Sequence, residues 1–469
     1  MAKGDGFETC RAREASRTSY DTGSVNNKYL LPLLLLALPA NLPAQTYRFF
    51  TNLGNVDVTL TPSVAPMTVA NFINYVNTGA YVNTIIHRSV QGFVVQGGGF
   101  QLQSGSVITT PTNPPVVNEF NVSNTTGTIA MAKLGSDPNS ATSQWFFNMS
   151  NNGTNGNALD TTDGGYTVFG TTNAAGLKVL TTINNLGTED CSGDGGVCGF
   201  TTLNSAFTNL PVSGGNYVVV SSIQPVPVLT APGFLSAASF ASNSLTGIAP
   251  GEIVAIFGQG MGPTTPVVAT VTNGALPTTL ANVQVTFNNK PAPLYFVSAN
   301  QINVIAPAGF SALPSVDIIV TYNSIASNTL VFPVKPANPA IFTQNGSGTG
   351  DGIIFESNYS LVNMAQPASV GDNLFLYGEG YGLATSATTL PDGAIVGTTP
   401  PFPVPAGSPT LLLIDGQTVP TAYFGGAPGL ANGVLQVNFT VPPLAPGSHQ
   451  IQLQVGIRMS PPGVTLQTK

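Results

Sequence analysis

Hydrophobic periodicity divides the chain after residue 45 into many short strands and two helices. Apolar residues recur at helical spacing over 65–81 and again over 174–184. Alternating or short apolar runs bounded by turn residues predict strands at 46–62, 85–100, 127–133, 143–149, 166–170 and 216–226. Many strands with two helices predict a closed barrel that is capped by helices.

The segment beyond residue 227 contains an internal repeat. PGEIVAIFGQGMGP (250–263) parallels VGDNLFLYGEGYGL (370–383), and NQINVIAP (300–307) parallels LQVNFTVP (435–442). Strands that alternate with Gly/Pro turns in units of roughly 110–130 residues are typical of β-sandwich modules. Two copies are too few for a solenoid. Each copy contains a Gly-x-Gly-x-Gly run, at 258–262 and at 378–382. Neither run is followed by the helix that a nucleotide-binding loop requires, so we interpret both as β-turns.

One strongly apolar run precedes the patterned region. YLLPLLLLAL (29–38) is too short to span a bilayer as a helix, but it fits the apolar part of a signal peptide. Ala44 offers a cleavage site that would leave Gln45 as the first mature residue. We therefore expect residues 1–44 to be a leader. A true translation start at Val25 is a further hypothesis, because the residues before it are unusual for a signal peptide.

Composition narrows the class of protein. The chain has 469 residues, of which 42% are hydrophobic and only 7% are charged, and its net charge is −7. The length suggests about three domains, and the neutral polar residues suit an extracellular protein rich in strands and turns. No Lys/Arg cluster could follow a phosphate backbone, so nucleic-acid binding is not expected. We expect no stable membrane insertion and a monomer.

Metal and cofactor chemistry has few candidates in this chain. Two His and three Cys exclude most metal frameworks, and no cofactor is expected. Cys191 and Cys198 flank a Gly-rich loop, and we predict a disulfide between them in an oxidising compartment, the alternative being two free thiols. The spacing of Asp160, Asp163 and Asp194 matches no EF-hand, so we interpret them as solvated turn residues.

Arg88 is a cation inside the apolar segment IIHRSVQGFVVQGGGF (85–100), and the chain from Gln45 onward has eight Lys or Arg. A buried Arg must be paired or used in function. Taken alone, this pattern favours a structural ion pair or a side chain that reaches the rim. Strand alternation turns the neighbouring His87 to the opposite face, where we expect a structural role.

The wider pattern around Arg88 resembles the cyclophilin signature, in which an H-R pair is followed by G-F and then by Q-G-G-x-F. Here these are His87-Arg88, Gly92-Phe93 and QGGGF at 96–100. The resemblance is closest to the bacterial periplasmic type. It extends through further blocks in the family's order, namely NPPVVNEF (113–120), GTIAMAK (127–133), NSATSQWFFNMS (139–150), NALD (157–160) and GGYTVFG (164–170).

This resemblance implies a mainly β fold, an eight-stranded closed barrel capped by two helices. It also implies peptidyl-prolyl cis/trans isomerase activity on proline-containing polypeptide clients. The catalytic group that the family's motifs imply is Arg88, Phe93, Gln96 and Phe146. The implied substrate-binding residues are Val94, Ala132, Lys133, Gln144, Leu159 and Tyr166.

The family's roles can be carried over to these positions. Phe93, Phe146 and Leu159 resemble the apolar walls of the proline pocket. Gln96 and Gln144 resemble the polar residues that bind the substrate and steady the arginine. Ala132 and Lys133 are implied to lie on the strand that pairs with the substrate backbone, and Tyr166 takes the place of a His found in many eukaryotic members.

Several positions depart from the family pattern, among them Ser89-Val90-Gln91, which replace the usual V-I-P. Val94 stands where most members have Met, which trims the pocket. Ala158 stands where Trp or Phe is usual, which should weaken cyclosporin-like inhibitors more than catalysis. Lys133 replaces a common Asn. The family uses mainly backbone groups there, so we expect little loss of activity, although a cation at this position would favour acidic substrates.

The C-terminal region, 230–465, resembles the Ig-like tandem that ends many large secreted proteins of soil bacteria. We therefore predict a leader, an isomerase domain and two Ig-like β-sandwich domains, with bounds 1–44, 45–225, 226–335 and 336–469. The predicted function is an exported isomerase, periplasmic or extracellular, whose C-terminal pair serves adhesion or spacing through cell-surface or glycan contact. The alternatives are a Pro-binding adhesion protein without turnover and a carbohydrate-binding surface protein.

Overall fold

The computed structural model describes residues 45–153, 157–193, 205–385 and 389–469. The predicted leader, 1–44, lies outside the described residues. The described chain is built mainly of β-strands, as expected, with a curled sheet first and sandwich sheets after it.

The first body contains fourteen described strands. They are β1 (Thr46–Thr51), β2 (Gly54–Leu60), β3 (Thr84–Ile85), β4 (Arg88–Val90), β5 (Val94–Gly97), β6 (Phe100–Gln103), β7 (Ser106–Thr109), β8 (Thr128–Met131), β9 (Trp145–Asn148), β10 (Val168–Thr172), β11 (Thr188–Glu189), β12 (Leu210–Ser213), β13 (Asn216–Tyr217) and β14 (Val219–Pro225).

Eleven of these strands form one hydrogen-bonded path, β4-β5-β9-β8-β10-β2-β1-β14-β3-β6-β7, and β11-β12-β13 form a small separate sheet. The path has more strands than the expected eight because the apolar segment 85–100 is divided into short pieces. Turns between the pieces, such as the one at Gly92 with φ of 69°, break the ladder. The first strand pairs with the last, Phe49 opposite Ile223, so the two ends of the domain meet in the sheet.

Two helices pack on this sheet where periodicity predicted them, α1 (Pro66–Asn77) and α2 (Ala174–Asn184). Pro66 begins α1, a position where its missing N–H removes no hydrogen bond. The carboxylate of Glu119 accepts hydrogen bonds from the free N–H groups of the first turn of α1. Phe72 of α1 stacks on Phe49 of β1 at 5.9 Å, inside a core that also holds the buried ring of Trp145.

The second body is a sandwich that we call module one. Its described residues include a short α-helix, α3 (Asn243–Thr246), and a 3-10 helix at Ala308–Phe310. Its strands are β15 (Val228–Ser236), β16 (Ile253–Gln259), β17 (Val267–Val268), β18 (Val283–Phe287), β19 (Lys290–Pro291), β20 (Leu294–Val297), β21 (Gln301–Ile305), β22 (Ser315–Tyr322), β23 (Ile325–Ala326) and β24 (Leu330–Pro333). One sheet has the order β15-β16-β21-β20-β17, and the other contains β19-β18-β22-β23 with β24 beside β22.

The third body, module two, repeats this plan. Its strands are β25 (Ala340–Ile341), β26 (Gly350–Asp351), β27 (Ile354–Glu356), β28 (Asn373–Glu379), β29 (Thr410–Ile414), β30 (Gln417–Val419), β31 (Thr421–Gly426), β32 (Leu435–Thr440), β33 (Gly447–Val455), β34 (Arg458–Met459) and β35 (Val464–Thr468). The repeated blocks form matching strand pairs, β16 with β21 in module one and β28 with β32 in module two.

Two buried carboxylates join the modules. Glu379 of module two accepts hydrogen bonds from Ser236 Oγ at 2.6 Å and from Ile253 N at 2.7 Å, both in module one. Glu252 of module one accepts from Asn338 Nδ2 of module two at 2.9 Å. Burial, together with repulsion by Glu379, raises the pKa of Glu252 to about 8. Burial raises the pKa of Glu379 to about 7.

The first body and module one follow each other closely along the chain. β14 ends at Pro225 and β15 begins at Val228. Val226 N still donates to Thr46 O of the first strand at 2.8 Å. None of the helices in the described ranges has the length and hydrophobicity needed to cross a membrane.

Candidate active site

A row of cross-strand neighbours runs over the outer face of the curled sheet. Arg88 on β4 lies opposite Gln96 on β5, Gln96 lies opposite Phe146 on β9, and Phe146 lies opposite Ala130 on β8. Side chains directly opposite each other in a sheet share a face. The strands therefore bring residues from three distant sequence blocks together, with Val168 of β10 opposite Ala130 at the end of the row.

Arg88 presents a partly buried guanidinium at one end of this row. Its Nη1 donates to Gln96 Oε1 at 3.4 Å, and its guanidinium carbon lies 5.8 Å from the centroid of the Phe93 ring. Burial lowers the pKa of Arg88, whereas Tyr166 acts to raise it. The ion pairs found among the described residues do not include Arg88. The structural ion pair considered from sequence alone is therefore not seen.

The side chains of Arg88, Gln96 and Gln144 form a short chain of hydrogen bonds. Gln96 Nε2 donates to Gln144 Oε1 at 2.9 Å, while Gln96 Oε1 accepts from Arg88. The two amides thus orient each other and leave the Gln96 acceptor aimed at the guanidinium. The contacts place both amides next to Arg88, and the steadying role that the resemblance implied stays a prediction.

An apolar cluster lies beside Arg88, apart from the main core. It is a cluster of buried side chains with three partly exposed residues at its edge. Phe146 meets the ring of Tyr166 edge to face at 5.7 Å, which closes one side. The buried members are Val94, Ala130, Phe146, Leu159 and Val168, and the edge residues are Phe93, Ala132 and Tyr166.

Ala132 and Lys133 lie just beyond β8 rather than on it, which corrects the prediction from the sequence. β8 ends at Met131. Ala132 N continues the ladder to Gln144 O at 2.9 Å, but Leu134 N then bonds to the Ser140 hydroxyl. A side chain has replaced the ladder partner, so the backbone leaves the sheet at this point.

His87 lies on the opposite side of the strand from Arg88, as alternation predicted. It is buried, and its ring meets Phe100 edge to face at 5.0 Å. Burial, reinforced by Arg88, lowers the pKa of His87 to about 4. The imidazole is therefore neutral at neutral pH, and besides packing on Phe100 it has a hydrogen bond with Gln144.

Buried asparagines that the sequence reasoning missed hold the walls of the pocket. Asn152 Nδ2 donates to Phe93 O at 2.8 Å, and Asn124 Nδ2 donates to Tyr166 O at 3.0 Å. Asn148 joins the two, because its Nδ2 donates to Asn124 and its Oδ1 accepts from Asn152. Only Asn148 lies in a block that the sequence assigned to the site, whereas Asn124 and Asn152 lie just outside those blocks and carried no signal.

Asn184 supports the hairpin that carries Arg88. It lies at the C-terminal end of α2, and its Nδ2 donates to Ser89 Oγ and to Val90 O, each at 3.0 Å. Its Oδ1 accepts from Gly92 N at 2.8 Å. One amide therefore fixes both strands and the turn of the β4–β5 hairpin.

Asp160 differs from its interpretation as a solvated turn residue. Its carboxylate accepts from Ser123 Oγ at 2.5 Å and from Asn124 N at 2.9 Å. Burial acts to raise its pKa, but these hydrogen bonds outweigh burial and lower it. Asp163 lies in a tight turn, and Asp194 lies outside the described residues. In the described ranges, no group of three or more His, Cys, Asp or Glu could hold a metal ion.

Cys191 is buried and disulfide-bonded, and it packs with Phe100 and Phe207. Cys198 lies outside the described residues. The pairing of Cys191 with Cys198 therefore stays a prediction.

Comparison with known proteins agrees with this geometry. The family model of the cyclophilin type peptidyl-prolyl cis-trans isomerase/CLD matches residues 46–195, and that of the IPT/TIG domain matches residues 241–334 in module one. Peptidyl-prolyl cis-trans isomerase A of Dickeya dadantii is 43% identical over 144 residues, which are 30% of this chain and 71% of that protein.

A peptidyl-prolyl cis-trans isomerase of Acinetobacter baylyi is 41% identical over 143 residues, again 30% of this chain and 71% of that protein. A crystal structure of a cyclophilin type isomerase from Cryptosporidium parvum aligns with 39% of this chain and 98% of its own, at 24% identity and a TM-score of 0.28. From its relatives and family models, the chain belongs to the cyclophilin-type peptidyl-prolyl cis/trans isomerases and carries an IPT/TIG, Ig-like domain after its isomerase domain.

Proposed function

We propose that this isomerase works through Arg88 on proline-containing polypeptides outside the cytoplasm, and that its C-terminal modules serve adhesion or spacing. The supporting observation is a partly buried guanidinium beside an apolar cluster, with Gln96 as its side-chain acceptor. A cation that is neither fully solvated nor held by a carboxylate remains available for a substrate.

The chemistry of amide rotation explains why such a cation is useful. An X-Pro bond isomerises over a barrier of about 18–20 kcal/mol, because rotation breaks the amide resonance. In the twisted transition state the prolyl nitrogen becomes pyramidal and basic. A hydrogen bond from Arg88 to that nitrogen stabilises the transition state more than the planar ground state.

The pocket supplies the second contribution. The apolar side chains of Phe93, Phe146 and Leu159 grip the pyrrolidine ring and exclude water, which strengthens the hydrogen bond from Arg88. Uncatalysed exchange takes tens of seconds, so millisecond turnover needs about 5–6 kcal/mol of differential stabilisation. One charged hydrogen bond, together with the electrostatics of a dry pocket, supplies transition-state stabilisation of that order.

Export is proposed from the apolar run at 29–38 and the small residues that follow it. The disulfide at Cys191 supports an oxidising compartment. Expression in a bacterial host followed by mass spectrometry of the exported protein tests this proposal. We expect a mature N-terminus close to Gln45, and an uncleaved chain that stays in the cytoplasm would contradict it.

Adhesion or spacing by the C-terminal pair rests on its architecture. The two modules share an apolar interface, in which Ile253 and Ile305 of module one meet Phe342 and Tyr377 of module two. A continuous pair of sandwiches suits a spacer that holds the isomerase at a distance from a surface. Binding of residues 230–469 to a glycan array would instead favour the carbohydrate-binding alternative.

The isomerase proposal is tested by proline-limited refolding of a denatured client. The full chain should accelerate the slow phase, and Arg88→Ala should lose about two orders of magnitude of that rate. Lys178→Ala, which removes an exposed cation on α2, is the matched control and should behave as the parent protein. Equal rates for the parent and Arg88→Ala would mean that Arg88 is not used for turnover. They would favour the alternative of a Pro-binding protein.

A further inference from the structure

The ammonium group of Lys133 donates hydrogen bonds to backbone carbonyls of the turn that precedes Tyr166. Its Nζ donates to Asp163 O at 2.6 Å and to Gly165 O at 2.7 Å. Asp163, Gly164 and Gly165 have φ values of 50°, 79° and 81°, all in the left-handed region. Three such residues in succession bring two carbonyls to one side, where a cation satisfies both.

The same ammonium also covers the ring that follows the turn. Lys133 Nζ lies 4.6 Å from the centroid of the Tyr166 ring, within the range of a cation–π interaction. Tyr166 in turn meets Phe146, the central wall of the proline pocket, edge to face. Lys133 therefore contacts both the backbone that leads into Tyr166 and the Tyr166 ring itself.

A second side chain holds this turn and shows that the turn is braced. Asn118 Nδ2 donates to Gly164 O at 2.8 Å and to Gly165 O at 3.1 Å. Lys133 and Asn118 thus share the carbonyl of Gly165. With both in place, the three carbonyls of the turn all have donors.

This arrangement changes the role expected of Lys133. An ammonium has three N–H donors, and here two are used by carbonyls while the ion lies over an aromatic face. Burial lowers the pKa of Lys133, whereas Asp163 and Asp137 act to raise it. A cation that is satisfied inside its own domain is poorly placed to recruit acidic substrates.

We infer that Lys133 is a positioning residue for the isomerase reaction, which acts through Tyr166 by fixing the outer wall of the proline pocket. The inference rests on the proposed function of the Arg88 site. Tyr166 lies at the edge of the apolar cluster and is not the group proposed to donate to the prolyl nitrogen, so we expect it to affect the grip on the proline ring in the ground and transition states alike. A loosened wall should therefore raise KM and leave kcat nearly unchanged.

The test measures kcat and KM of the full chain on an X-Pro peptide that has no acidic residue. Lys133→Met keeps most of the side-chain stem but removes the charge and the donors. We expect KM to rise about three- to tenfold with kcat within about twofold. Lys133→Arg, which keeps the charge and its donors, should recover most of the loss. Lys133→Gln repeats the test should the Met variant fail to fold.

A double-mutant cycle with Tyr166→Leu identifies the route of the effect. If Lys133 acts through Tyr166, Lys133→Met should change KM little further once Tyr166 is Leu. Additive effects in the two backgrounds would overturn the inference. So would unchanged kinetics of Lys133→Met, or a KM effect confined to peptides with acidic residues.

Two further variants separate this inference from the proposed function. Lys178→Met removes an exposed cation of the same domain and should leave both kinetic constants unchanged. Arg88→Ala should lose activity through kcat. If Arg88→Ala keeps full activity, the proposed function fails. If Arg88→Ala is inactive while Lys133→Met matches the parent, the positioning role alone fails.

Discussion

Arg88 and Gln96 are cross-strand neighbours whose side chains meet, with Arg88 Nη1 3.4 Å from Gln96 Oε1. Gln96 is itself oriented by Gln144, to which it donates at 2.9 Å. The guanidinium is therefore directed by a neutral acceptor. A neutral partner holds the cation without neutralising it, which leaves its remaining N–H groups able to donate to a substrate.

The first prediction concerns this acceptor. Gln96→Ala removes the group that orients Arg88, and we expect kcat on an X-Pro peptide to fall about tenfold because the donor no longer points at the prolyl nitrogen. Gln91→Ala, at an exposed position of the same hairpin, is the control and should keep the parent rate. An unchanged kcat in Gln96→Ala would show that Arg88 does not depend on Gln96.

The second prediction concerns the brace at the end of α2. Asn184→Ala removes the hydrogen bonds to Ser89, Val90 and Gly92, so we expect a loss of about 2 kcal/mol of unfolding free energy. The hairpin should also hold Arg88 less firmly, lowering kcat/KM about fivefold. Urea unfolding and peptide kinetics measure the two effects.

Asn185→Ala is the matched control for Asn184→Ala, since Asn185 is the adjacent, exposed residue at the end of the same helix. It should change stability by less than about 0.5 kcal/mol. Equal losses in the two variants would mean that the helix end, and not the amide bridge of Asn184, supports the hairpin.

The third prediction uses the two histidines of the chain. Burial and the nearby Arg88 lower the pKa of His87 to about 4, whereas the hydrogen bond to Asp415 raises the pKa of His449 above its usual 6.5. NMR titration from pH 8 to pH 5 should therefore move the ring signals of His449 and leave those of His87 in place. His449→Gln assigns the signals, and two coincident curves near pH 6.5 would contradict the burial of His87.

The fourth prediction concerns the carboxylates between the modules. The folded-state pKa values of Glu252 and Glu379, about 8 and about 7, lie above the ordinary 4.5. Carboxyls of this kind contribute stability below pH 4.5, and the contribution is lost as pH rises through 7 to 8. The melting temperature of the C-terminal transition should therefore fall between pH 5 and pH 9.

Glu379→Gln tests this dependence directly. Removing the charge of Glu379 also removes its repulsion of Glu252, so the change in melting temperature between pH 5 and pH 9 should fall by more than half. Asp317→Asn, at an exposed carboxylate of module one, should leave the dependence as it is. A Glu379→Gln protein with the full pH dependence would show that the pair does not control the interface.

The Arg88 site was largely predictable, because its parts lie in short motifs whose order and spacing are informative. Arg88, Gln96 and Phe146 come from such motifs, and strand pairing then brings them into one row. Asn184 was not predictable in this way. An Asn at the end of a helix is typical of a turn, and its partner Gly92 lies 92 residues earlier in the chain.

The roles of Lys133 and of the two buried carboxylates were likewise not predictable from the sequence, because they depend on contacts with distant parts of the chain. In the sequence, Lys133 is a free cation on a strand, and only the folded turn 30 residues later satisfies its charge. Glu252 and Glu379 lie in the repeated Gly-rich blocks, from which no role was predicted for either carboxylate, but both are buried and each bonds to the other module. Local patterns report local structure, whereas these roles depend on which surfaces meet.

The most direct test of the central claim is cis/trans exchange of an X-Pro peptide measured by NMR with the parent chain and with Arg88→Ala. Exchange spectroscopy gives the catalysed rate, and a titration of the same peptide gives its Kd. We predict that Arg88→Ala loses about a hundredfold in exchange rate while Kd changes by less than about threefold, because Arg88 acts on the transition state. Undiminished exchange in Arg88→Ala would contradict the assignment of Arg88.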